Sequence, residues 1–565
     1  MKHIRLLCVF LGLTACTGSE SRSGANGGTL AISTGGDPDV LIPSLVQTVQ
    51  AGQMTDMIYD RLADIGDSLN ILNDAGFTPR LADHWTWSPD SLSIAFHIDP
   101  RAKWHDGQRV TSSDVRFTFE STMDSTLGTP VAALIGNIDS VTTPDSATAT
   151  FWFHRHIPQE FYDATFQMPI IPEHIWKGIP PATWRASDAA KHPIGSGRFR
   201  FVRWTPRTAV ELTADTGNYH GAPKLGRVVW SIAPDFNTAL TRFLTGETDF
   251  FEALRAENIP EVAKHPELRT KSYRGLSYQF AQFNLRDPAN HARPHAIFGD
   301  RNLRRAITMA VDRAAIVRSA YDSLALPAIG PTVRAYPTTD ANLAQIPFDL
   351  PRAKSLLDSL GWRDANGDGV RERRGRPLEF TLAVPATSKV RVRMAVLIQE
   401  QLRQAGVKVN VEQLDFPVLA ERERKRNFDA VLNSWSTQPS PGAVRGSWGT
   451  AGSRAASGNN YGSYESPTFD AYVDSALASF DPATRKSYFT KAYDTIIQDA
   501  PAIWLAEPMP TVGYNARLKM APLRSDAWWA HIPEWSIPAD KRIPRDNAPV
   551  GAPATPAAPS GQKSP

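Results

Sequence analysis

The hexapeptide DANGDG, which begins at Asp364, has the residue spacing of a calcium-binding loop. Asp364, Asn366 and Asp368 occupy alternate positions and a glycine follows, as in the first half of an EF-hand. The position that should supply a bidentate glutamate, eleven residues after Asp364, is Gly375. Calcium needs roughly six to eight oxygen ligands, and these residue types are also the ones that tight turns prefer. We therefore predict a turn here and no calcium site.

A second pair of candidate ligands is His154 and His156, which would share one face of a strand. Two histidines make half of a zinc site, and the sequence offers no third ligand beside them. The chain contains no His-Glu-x-x-His, Gly-x-Ser-x-Gly or phosphate-loop motif. We expect a solvated strand face, no metal, no cofactor and no catalytic residue. Paired carboxylates of the glycosidase type stay open as the enzyme alternative.

The composition is ordinary for a globular protein and has no strong charge bias. The 565 residues include 61 lysines and arginines against 58 aspartates and glutamates, which gives a formal net charge of +3. That excess is too small to indicate a nucleic-acid partner or a polybasic membrane patch. The length suffices for about two or three domains, and we expect a monomer.

Both ends of the chain differ in composition from the body. Residues 1–15 have a short positive region and an apolar run of ten residues, which is typical of a signal peptide. The run ends in LTAC, which resembles a bacterial lipobox, so Cys16 would be lipidated. A plain secretory signal with an incidental cysteine is the alternative. We expect a flexible tether over 16–28 and a disordered Pro/Ala-rich tail over 541–565.

Hydrophobic periodicity predicts a mixed α/β body. An apolar face predicts one continuous helix over 300–321. Alternating apolar residues predict a strand over 376–384, an amphipathic helix follows over 388–406, and a second alternating strand follows over 407–414. A strand, a helix and a strand in this order indicate a parallel pair of strands with a crossover. DANGDG would then join a helix to a strand, whereas an EF-hand loop joins two helices.

A series of sequence blocks runs along most of the chain. The first, PRLADHWTWSPDSLSIAFHIDPRAKWHDGQRVTSSDVRFTFES, begins at Pro79, and GSGRFRFVRW, NYHGAPKLGRVVW and LTGETDFFEAL follow in order. FNLRD, DRNLRRAITMAVDRAAIV, IQEQLRQAGVKVNVEQLD, NNYGSYESPTFDAYVDSAL and DAPAIWLAEP complete the series. These blocks span about residues 29–535. The series resembles the family 5 solute-binding proteins of bacteria, the peptide-type binding components of ATP-binding cassette importers.

The resemblance implies an α/β fold with three lobes, of the class II periplasmic-binding-protein type. The ligand would lie in a cleft between lobes one and three, and closure of the cleft would produce the form that a permease recognises. The implied boundaries are 29–62, 195–282 and 509–540 for lobe one, 63–194 for lobe two, and 283–508 for lobe three.

The resemblance also implies where a ligand is held. In peptide-binding members an aspartate shortly after a tryptophan of lobe three meets the free amine of the ligand. The matching stretch here is NSWSTQPSPG, in which Trp435 is kept and the aspartate position falls at Gln438. An amide cannot form the charge-assisted bond that a carboxylate forms with an ammonium group. This departure favours a blocked peptide, a sugar or another polar solute, unless another acid such as Glu507 turns into the site.

Seven residues are the implied ligand contacts. Two of them, Trp435 and Trp504, would offer flat stacking surfaces, although either ring could instead belong to the core. Lobe one would contribute backbone groups from the loop that begins at Thr34. The full set is Thr34, Trp435, Ser436, Thr437, Gln438, Trp504 and Leu505.

The resemblance implies a substrate-binding lipoprotein of an ATP-binding cassette importer. Its partners would be a small solute or oligopeptide, a cognate permease, and the membrane through a lipid anchor. Its place would be periplasmic or otherwise extracytoplasmic. A surface receptor or scaffold lipoprotein without transport is the alternative from another class, and a secreted glycosidase-type hydrolase is a further one. A binding protein should be stabilised by its ligand without consuming it, whereas an enzyme should turn it over.

Lipidation gives a direct prediction. Cys16→Ala should move the protein from the membrane fraction to the soluble fraction, because the lipid would be its only membrane attachment. The measurement is fractionation of cells followed by immunoblotting. Cys8→Ala, within the predicted signal peptide, is the matched control and should leave the distribution unchanged. Membrane association that persists in Cys16→Ala would contradict lipidation at this residue.

Overall fold

The computed structural model describes residues 27–455 and 458–551. The expected signal peptide, Cys16 and nearly all of the expected tether lie outside these residues. The described chain forms three large sheets, one in each of the three lobes. A hydrophobic cluster runs from lobe two into lobe three, and a second joins lobe one to a few residues of lobe two. Lobe two therefore packs against both of the others.

Lobe one is built on a seven-stranded sheet. The first strand of the fold, Thr29–Thr34, is fully buried and lies parallel to both of its neighbours, Arg227–Ile232 and Phe250–Phe251. A strand buried on both faces needs apolar residues at successive positions, and the sequence TLAIST meets this need with small and branched side chains. In spatial order the strands are Leu268–Ser272, Thr511–Asn515, Phe250–Phe251, Thr29–Thr34, Arg227–Ile232, Ala209–Ala214 and Phe199–Thr205.

Lobe three is built on a six-stranded sheet. Glu379–Pro385 lies parallel to Lys408–Leu414, and the helix Lys389–Gln404 joins them, which confirms the predicted parallel pair with its helical crossover. In spatial order the strands are Ala325–Pro327, Ala502–Pro508, Ser277–Phe283, Ala430–Ser436, Glu379–Pro385 and Lys408–Leu414.

One implied lobe boundary is wrong. The segment 195–282 was expected to belong wholly to lobe one, but its last strand, Ser277–Phe283, pairs along both edges with strands of lobe three. The boundary therefore lies before Ser277. Both strands that pair with Ser277–Phe283 belong to the six-stranded sheet of lobe three, and this sets the boundary. Backbone pairing of this kind cannot be read from one sequence, so the boundary was misplaced.

Lobe two carries a four-stranded antiparallel sheet and a short hairpin. Its helix Ser112–Met123 begins with a capping box, in which Asp114 accepts a hydrogen bond from the backbone nitrogen of Thr111 at 2.8 Å. The sheet strands in spatial order are Ala82–Trp87, Ser93–Ile98, Thr148–Phe153 and Ile138–Thr142, and the hairpin is Ala63–Ile65 with Phe77–Pro79.

The remaining elements cover the sheets. The other α-helices are Val49–Ile58, Val131–Leu134, Glu160–Thr165, Glu173–Trp176, Asp188–Lys191, Phe236–Leu244, Ile259–Val262, Arg301–Met309, Arg313–Tyr321, Leu350–Ser359, Phe416–Arg424, Ala443–Trp448, Thr450–Arg454, Pro467–Ala478 and Pro482–Asp499. Short 3-10 helices are Pro43–Leu45, Pro181–Ala186, Ala256–Asn258, Ile532–Glu534, Ala539–Lys541 and Pro544–Asn547. Two ribbons pair Arg286–Asp287 with Asn290–Pro294 and Glu372–Arg373 with Arg376–Pro377.

The helix predicted over 300–321 is interrupted. It forms two helices, Arg301–Met309 and Arg313–Tyr321, and each begins after an aspartate. Asp312 accepts a hydrogen bond from the backbone nitrogen of Ala315 at 3.0 Å, so this side chain caps a new helix. The apolar periodicity continues across the break and therefore concealed it.

The turn predicted at DANGDG is confirmed. The carboxylate of Asp364 accepts hydrogen bonds from the backbone nitrogens of Gly367 at 2.8 Å and Gly369 at 3.0 Å. Both glycines, and Gly375 after them, have a positive φ, which residues with a side chain adopt at a cost. The spacing that imitates a calcium loop is thus used to satisfy the turn's own backbone.

The two histidines considered as ligands do not share a strand face. The strand ends at Phe153, and each histidine has its own carboxylate partner. His154 Nδ1 lies 3.5 Å from Asp139, whereas His156 Nδ1 lies 2.6 Å from Glu160. The ring of His156 also stacks on Phe480 of lobe three with centroids 4.2 Å apart, so this residue serves a contact between lobes.

The tail expected to be disordered from residue 541 is ordered as far as residue 551, and 552–565 lie outside the described residues. Asp546 accepts hydrogen bonds from the backbone nitrogen of Thr29 at 2.7 Å and from Arg517 at 2.6 Å. Arg545 forms an ion pair with Asp249, the carboxylate that also pairs with Arg517. The expectation failed because two charged residues, which composition alone assigns to solvent, complete a buried network.

Loss of Asp546 should therefore destabilise lobe one. Asp546→Ala leaves the buried Arg517 with one carboxylate fewer, and we expect the free energy of unfolding to fall by roughly 2–4 kcal/mol. Denaturant unfolding followed by tryptophan fluorescence measures the change. Asp540→Ala removes an exposed aspartate from the same segment and should change stability by less than about 0.5 kcal/mol. Equal stabilities for the two variants would contradict the structural role of the tail.

Candidate ligand-binding site

The carboxyl ends of the parallel strands define where a ligand can be held. In open α/β sheets, ligands bind in the crevice beyond these ends. In lobe one the parallel strands end at Thr34, Ile232 and Phe251, and in lobe three they end at Pro385, Leu414 and Ser436. The polar side chains that directly follow these positions are the candidate site.

Glu252 is the candidate of lobe one, and sequence analysis missed it. It directly follows the buried strand Phe250–Phe251, and part of it remains accessible. Its carboxylate accepts hydrogen bonds from Thr34 Oγ1 at 3.1 Å, from Trp528 Nε1 at 3.1 Å and from Gln53 Nε2. Burial raises the pKa of Glu252, and these three donors oppose that rise. A carboxylate directly after a short apolar strand was the signal available in the sequence.

Thr34 was expected to line the cleft with its backbone neighbours. The structure buries this residue completely, and its hydroxyl serves Glu252. Its place at the end of the first strand is as predicted, but its side chain orients an acid and has no surface to offer a ligand.

Lobe three places a cation at the corresponding edge. Arg391 belongs to the first turn of the helix Lys389–Gln404, and its Nη1 donates to Asn433 Oδ1 at 3.0 Å. Asn433 donates in turn to both oxygens of Glu423, at 2.8 and 3.0 Å. Burial lowers the pKa of Arg391 and raises that of Glu423 to about 7. The neutral amide of Asn433 therefore links the arginine to Glu423 and orients its guanidinium.

The segment expected to hold the ligand follows the strand Ala430–Ser436 and is rigidly placed. The backbone nitrogen of Thr437 donates to the carbonyl of Leu276 at 2.7 Å. The Tyr336 hydroxyl donates to the Gln438 carbonyl at 2.6 Å and also contacts Thr437 Oγ1. Ser436 and Gln438 are exposed, as a ligand contact requires.

The side chain of Gln438 points to lobe two. Its Oε1 accepts a hydrogen bond from Gln167 Nε2 at 3.3 Å, and nearby Ser440 donates to Gln159 Oε1 at 3.1 Å. The structure therefore brings the predicted anchor to the junction of lobes two and three, and no described residue of lobe one is hydrogen-bonded to it. Trp435 is half-buried, with its ring 6.0 Å from that of Tyr461.

Trp504 and Leu505 do not line a cleft, contrary to expectation. They lie in the strand Ala502–Pro508, inside the six-stranded sheet, and only 1% and 0% of their surfaces are exposed. The indole of Trp504 packs edge to face against Trp448 with centroids 4.6 Å apart. Because helices or loops cover both faces of this strand, the ring has no free face for a ligand.

Glu507 does not act as a substitute anchor. Its side chain is buried and accepts a hydrogen bond from the backbone nitrogen of Arg334 at 2.8 Å. The guanidinium of the same arginine forms an ion pair with it at 2.5 Å. Both oxygens are engaged by one partner, so an additional ligand ammonium would have to compete with that pair.

Two adjacent crossings connect lobes one and three. The chain passes through Tyr273–Leu276 in one direction and returns through Pro508–Pro510, and Tyr273 N donates to the Pro510 carbonyl at 3.0 Å. A Cβ atom on Gly275 would lie 2.9 Å from Pro510 Cδ, so only glycine allows the crossings to approach this closely. Short paired connections of this kind are where hinge motion occurs.

The fold and the candidate site agree with the results of comparing this chain with known proteins. Residues 76–456 match the bacterial extracellular solute-binding proteins, family 5, and the chain belongs to that family. The fold has the three domains of the class II periplasmic binding proteins, as the resemblance implied. Among the described residues, no helix is both long and apolar enough to cross a membrane.

Relatives of known kind match almost from end to end. The oligopeptide-binding protein AppA of Bacillus subtilis is 27% identical over 549 residues, which cover 93% of this chain and 97% of AppA. Its structure in complex with a nonapeptide superimposes with a TM-score of 0.72 at 25% identity, covering 91% of this chain and 99% of that one. The substrate-binding protein CtaP of Listeria monocytogenes has a TM-score of 0.78 at 23% identity over 91% and 99% of the two chains.

Asp163, beside the junction of lobes two and three, should make stability depend on pH. It accepts a hydrogen bond from Gln159 at 3.2 Å, and burial raises its pKa to about 8. The folded protein keeps this proton while the unfolded chain loses it near pH 4, so stability should fall as pH rises between these values, by about 1.4 kcal/mol per pH unit at most. Asp163→Asn should remove this slope.

The measurement is thermal unfolding of both proteins from pH 5 to pH 8. The melting temperature of the wild type should fall more steeply than that of Asp163→Asn, and the variant should be the more stable at pH 8. Asp90→Asn, on an exposed turn of lobe two, is the control and should keep the wild-type slope. Parallel curves for wild type and Asp163→Asn would show that Asp163 is ionised in the fold.

Proposed function

We propose that this protein is the substrate-binding component of an ATP-binding cassette importer, and that it captures an oligopeptide or a similar polar solute. Cys16 would anchor it to the membrane by a lipid, and it would act outside the cytoplasm as a monomer that delivers its ligand to a permease. Membership of family 5 supports the binding role. The full-length match to an oligopeptide-binding protein supports the ligand class.

The observation that carries the ligand class is a pair of opposite charges at the strand ends of the two lobes. Lobe one presents the partly accessible carboxylate of Glu252, and lobe three presents the guanidinium of Arg391. Both are held by neutral donors or acceptors, so neither charge is cancelled by its immediate partners. A ligand with an ammonium group and a carboxylate, such as a peptide, would complement the pair.

Glu252 also resolves the difficulty that Gln438 creates. The amide of Gln438 cannot neutralise a ligand ammonium, and Glu507 is already paired with Arg334. A buried ammonium without an anionic partner costs several kcal/mol. The ligand amine would therefore bind to Glu252 in lobe one. Gln438 would then contact a neutral part of the ligand, such as a peptide amide.

The paired crossings support delivery by closure. Because two short segments beside Gly275 join lobes one and three, a ligand that contacts both lobes can shift the population towards a closed form. Only interactions made in the closed form and absent in the open one can drive this shift. Charges placed on opposite lobes meet that condition, since one ligand can satisfy both only when the lobes approach.

The test is a thermal-shift and calorimetric panel on ligand-free protein, guided by mass spectrometry of whatever co-purifies. Free-amine peptides should bind, and their N-acetylated forms should bind about 10–100-fold more weakly, because acetylation removes a charge-assisted hydrogen bond. Glu252→Gln should weaken the free-amine peptides by a similar factor and leave the acetylated ones unaffected. Glu247→Gln, an acid of the same lobe that pairs with Arg242, is the matched control.

Three outcomes would contradict this proposal. Equal binding of free and acetylated peptides, with no effect of Glu252→Gln, would show that the amine is not held by this carboxylate and that a blocked peptide or sugar is the ligand. Consumption of the bound compound during incubation would show an enzyme instead of a binding protein. A gain in free-amine binding for Gln438→Asp alone would move the anchor to lobe three.

A further inference from the structure

Arg485 is a buried cation without a counter-charge. It lies in the first turns of the helix Pro482–Asp499, and only 1% of its surface is exposed. Within residues 27–455 and 458–551, no acceptor is hydrogen-bonded to its Nε, Nη1 or Nη2, and all three atoms are buried. Its guanidinium carbon lies 5.9 Å from the ring centroid of Phe489, which is a weak contact at that distance.

Another arginine of the same lobe shows what burial normally requires. Arg304 is also buried, but its Nη2 donates to the carbonyl of Asp499 at 2.7 Å and its Nη1 to that of Phe298 at 2.7 Å. Burial lowers the pKa of both arginines to about 10, so each remains charged at neutral pH. A buried charge without partners is strongly unfavourable, and Arg485 alone of these two lacks them.

A cavity of about 40 Å³ lies beside Arg485 at the junction of lobes two and three. Leu69–Leu72 of lobe two forms one wall, and Tyr336–Thr338 with Pro439 and Pro441 of lobe three forms the other. The space is sufficient for a small anion or the end of a carboxylate. No aspartate or glutamate is among the residues that line it.

The cavity holds a second unused donor. The Thr338 hydroxyl is buried and has no hydrogen-bond partner among the residues the structure describes. A hydroxyl can donate to an anion, and a guanidinium offers two parallel donors that match the two oxygens of a carboxylate. The groups around the space therefore supply donors and a positive charge, which is the chemistry of an anion site.

We propose that this cavity binds a small oxyanion or carboxylate through the guanidinium of Arg485 and the hydroxyl of Thr338. The inference does not depend on the transport function, because it follows from the unpaired charge and the cavity. Two sources share this chemistry, a free anion from solution and the carboxylate of the captured ligand.

The anion would join two lobes. One wall of the cavity comes from lobe two, and Tyr336 in the other wall donates to the Gln438 carbonyl at 2.6 Å. Neutralising Arg485 would therefore stabilise the contact between lobe two and the segment that carries Gln438. The site would favour the arrangement of lobes in which its two walls meet.

The first experiment titrates anions into ligand-free, full-length protein. Formate, acetate and chloride are added separately at constant ionic strength, with gluconate as the large replacement anion, and thermal unfolding is followed. We expect a saturable rise of about 2 °C in melting temperature for the wild type. Arg485→Met should lose the rise, whereas Arg403→Met, which removes an exposed arginine of the same lobe, should keep it. A wild type without a saturable response would overturn the proposal.

A second measurement does not depend on the variant's folding. Crystals of the wild-type protein grown in or soaked with bromide should show an anomalous peak within about 3.5 Å of the Arg485 guanidinium. Anomalous peaks elsewhere with none beside Arg485 would overturn the proposal.

Binding of peptides that differ only at their carboxyl end distinguishes the two sources of the anion. If the captured ligand supplies the carboxylate, peptide acids should bind more tightly than their amides, displace bromide from the cavity and lose this advantage in Arg485→Met. If a free anion fills the site, any preference for acids over amides should be unchanged in Arg485→Met, and bromide should stay in place with the peptide bound. Either result, together with the titration, supports an anion site.

Discussion

The crossing of the chain between two sheets is the constraint on which the rest of this structure depends. The segment from Ala502 to Asn515 supplies a central strand to lobe three and, after a turn through Pro510, an inner strand to lobe one. The segment from Leu268 to Phe283 supplies the edge strand of lobe one and then an inner strand of lobe three. In each sheet, two strands are therefore continuous with strands of the other lobe's sheet. Two lobes tied at one edge can approach each other only by bending at that edge.

Buried charged groups have different kinds of partner in the body of lobe one, at the strand ends and at the junction of lobes two and three. In the body of lobe one, two carboxylates, Asp249 and Asp546, and two arginines, Arg517 and Arg545, neutralise one another within a network of hydrogen bonds. At the strand ends, Glu252 and Arg391 accept from or donate to neutral groups, Thr34 and Asn433. At the junction of lobes two and three, Arg485 has no acceptor in the described chain. Because an unpaired buried charge is costly, its position marks where binding energy can be gained.

Sequence analysis succeeded where a signal was local and periodic. The strand, helix and strand of lobe three and the turn at DANGDG both depend on residues close together in the chain. It failed where burial or pairing depended on distant residues. The tail after residue 541 has the composition of a solvated segment, yet Asp546 is bonded to Thr29 at the other end of the body. The strand Ser277–Phe283 was assigned to the wrong lobe for the same reason.

The candidate site shows the same division. The resemblance implied that the segment from Trp435 to Gln438 contacts a ligand, and Ser436 and Gln438 are exposed, but the partner of Gln438 in lobe two, Gln167, could not be found from the sequence. Trp504 looked like a stacking surface because aromatic residues serve both cores and sites, and only the sheet around it decides between them. If Glu252 takes the role that an aspartate at position 438 has in peptide-binding members, the ammonium group would be held by lobe one instead of lobe three. The ligand would still lie between the two sheets. The identity of one residue in a motif therefore constrains a ligand less than the arrangement of charges across the whole cleft.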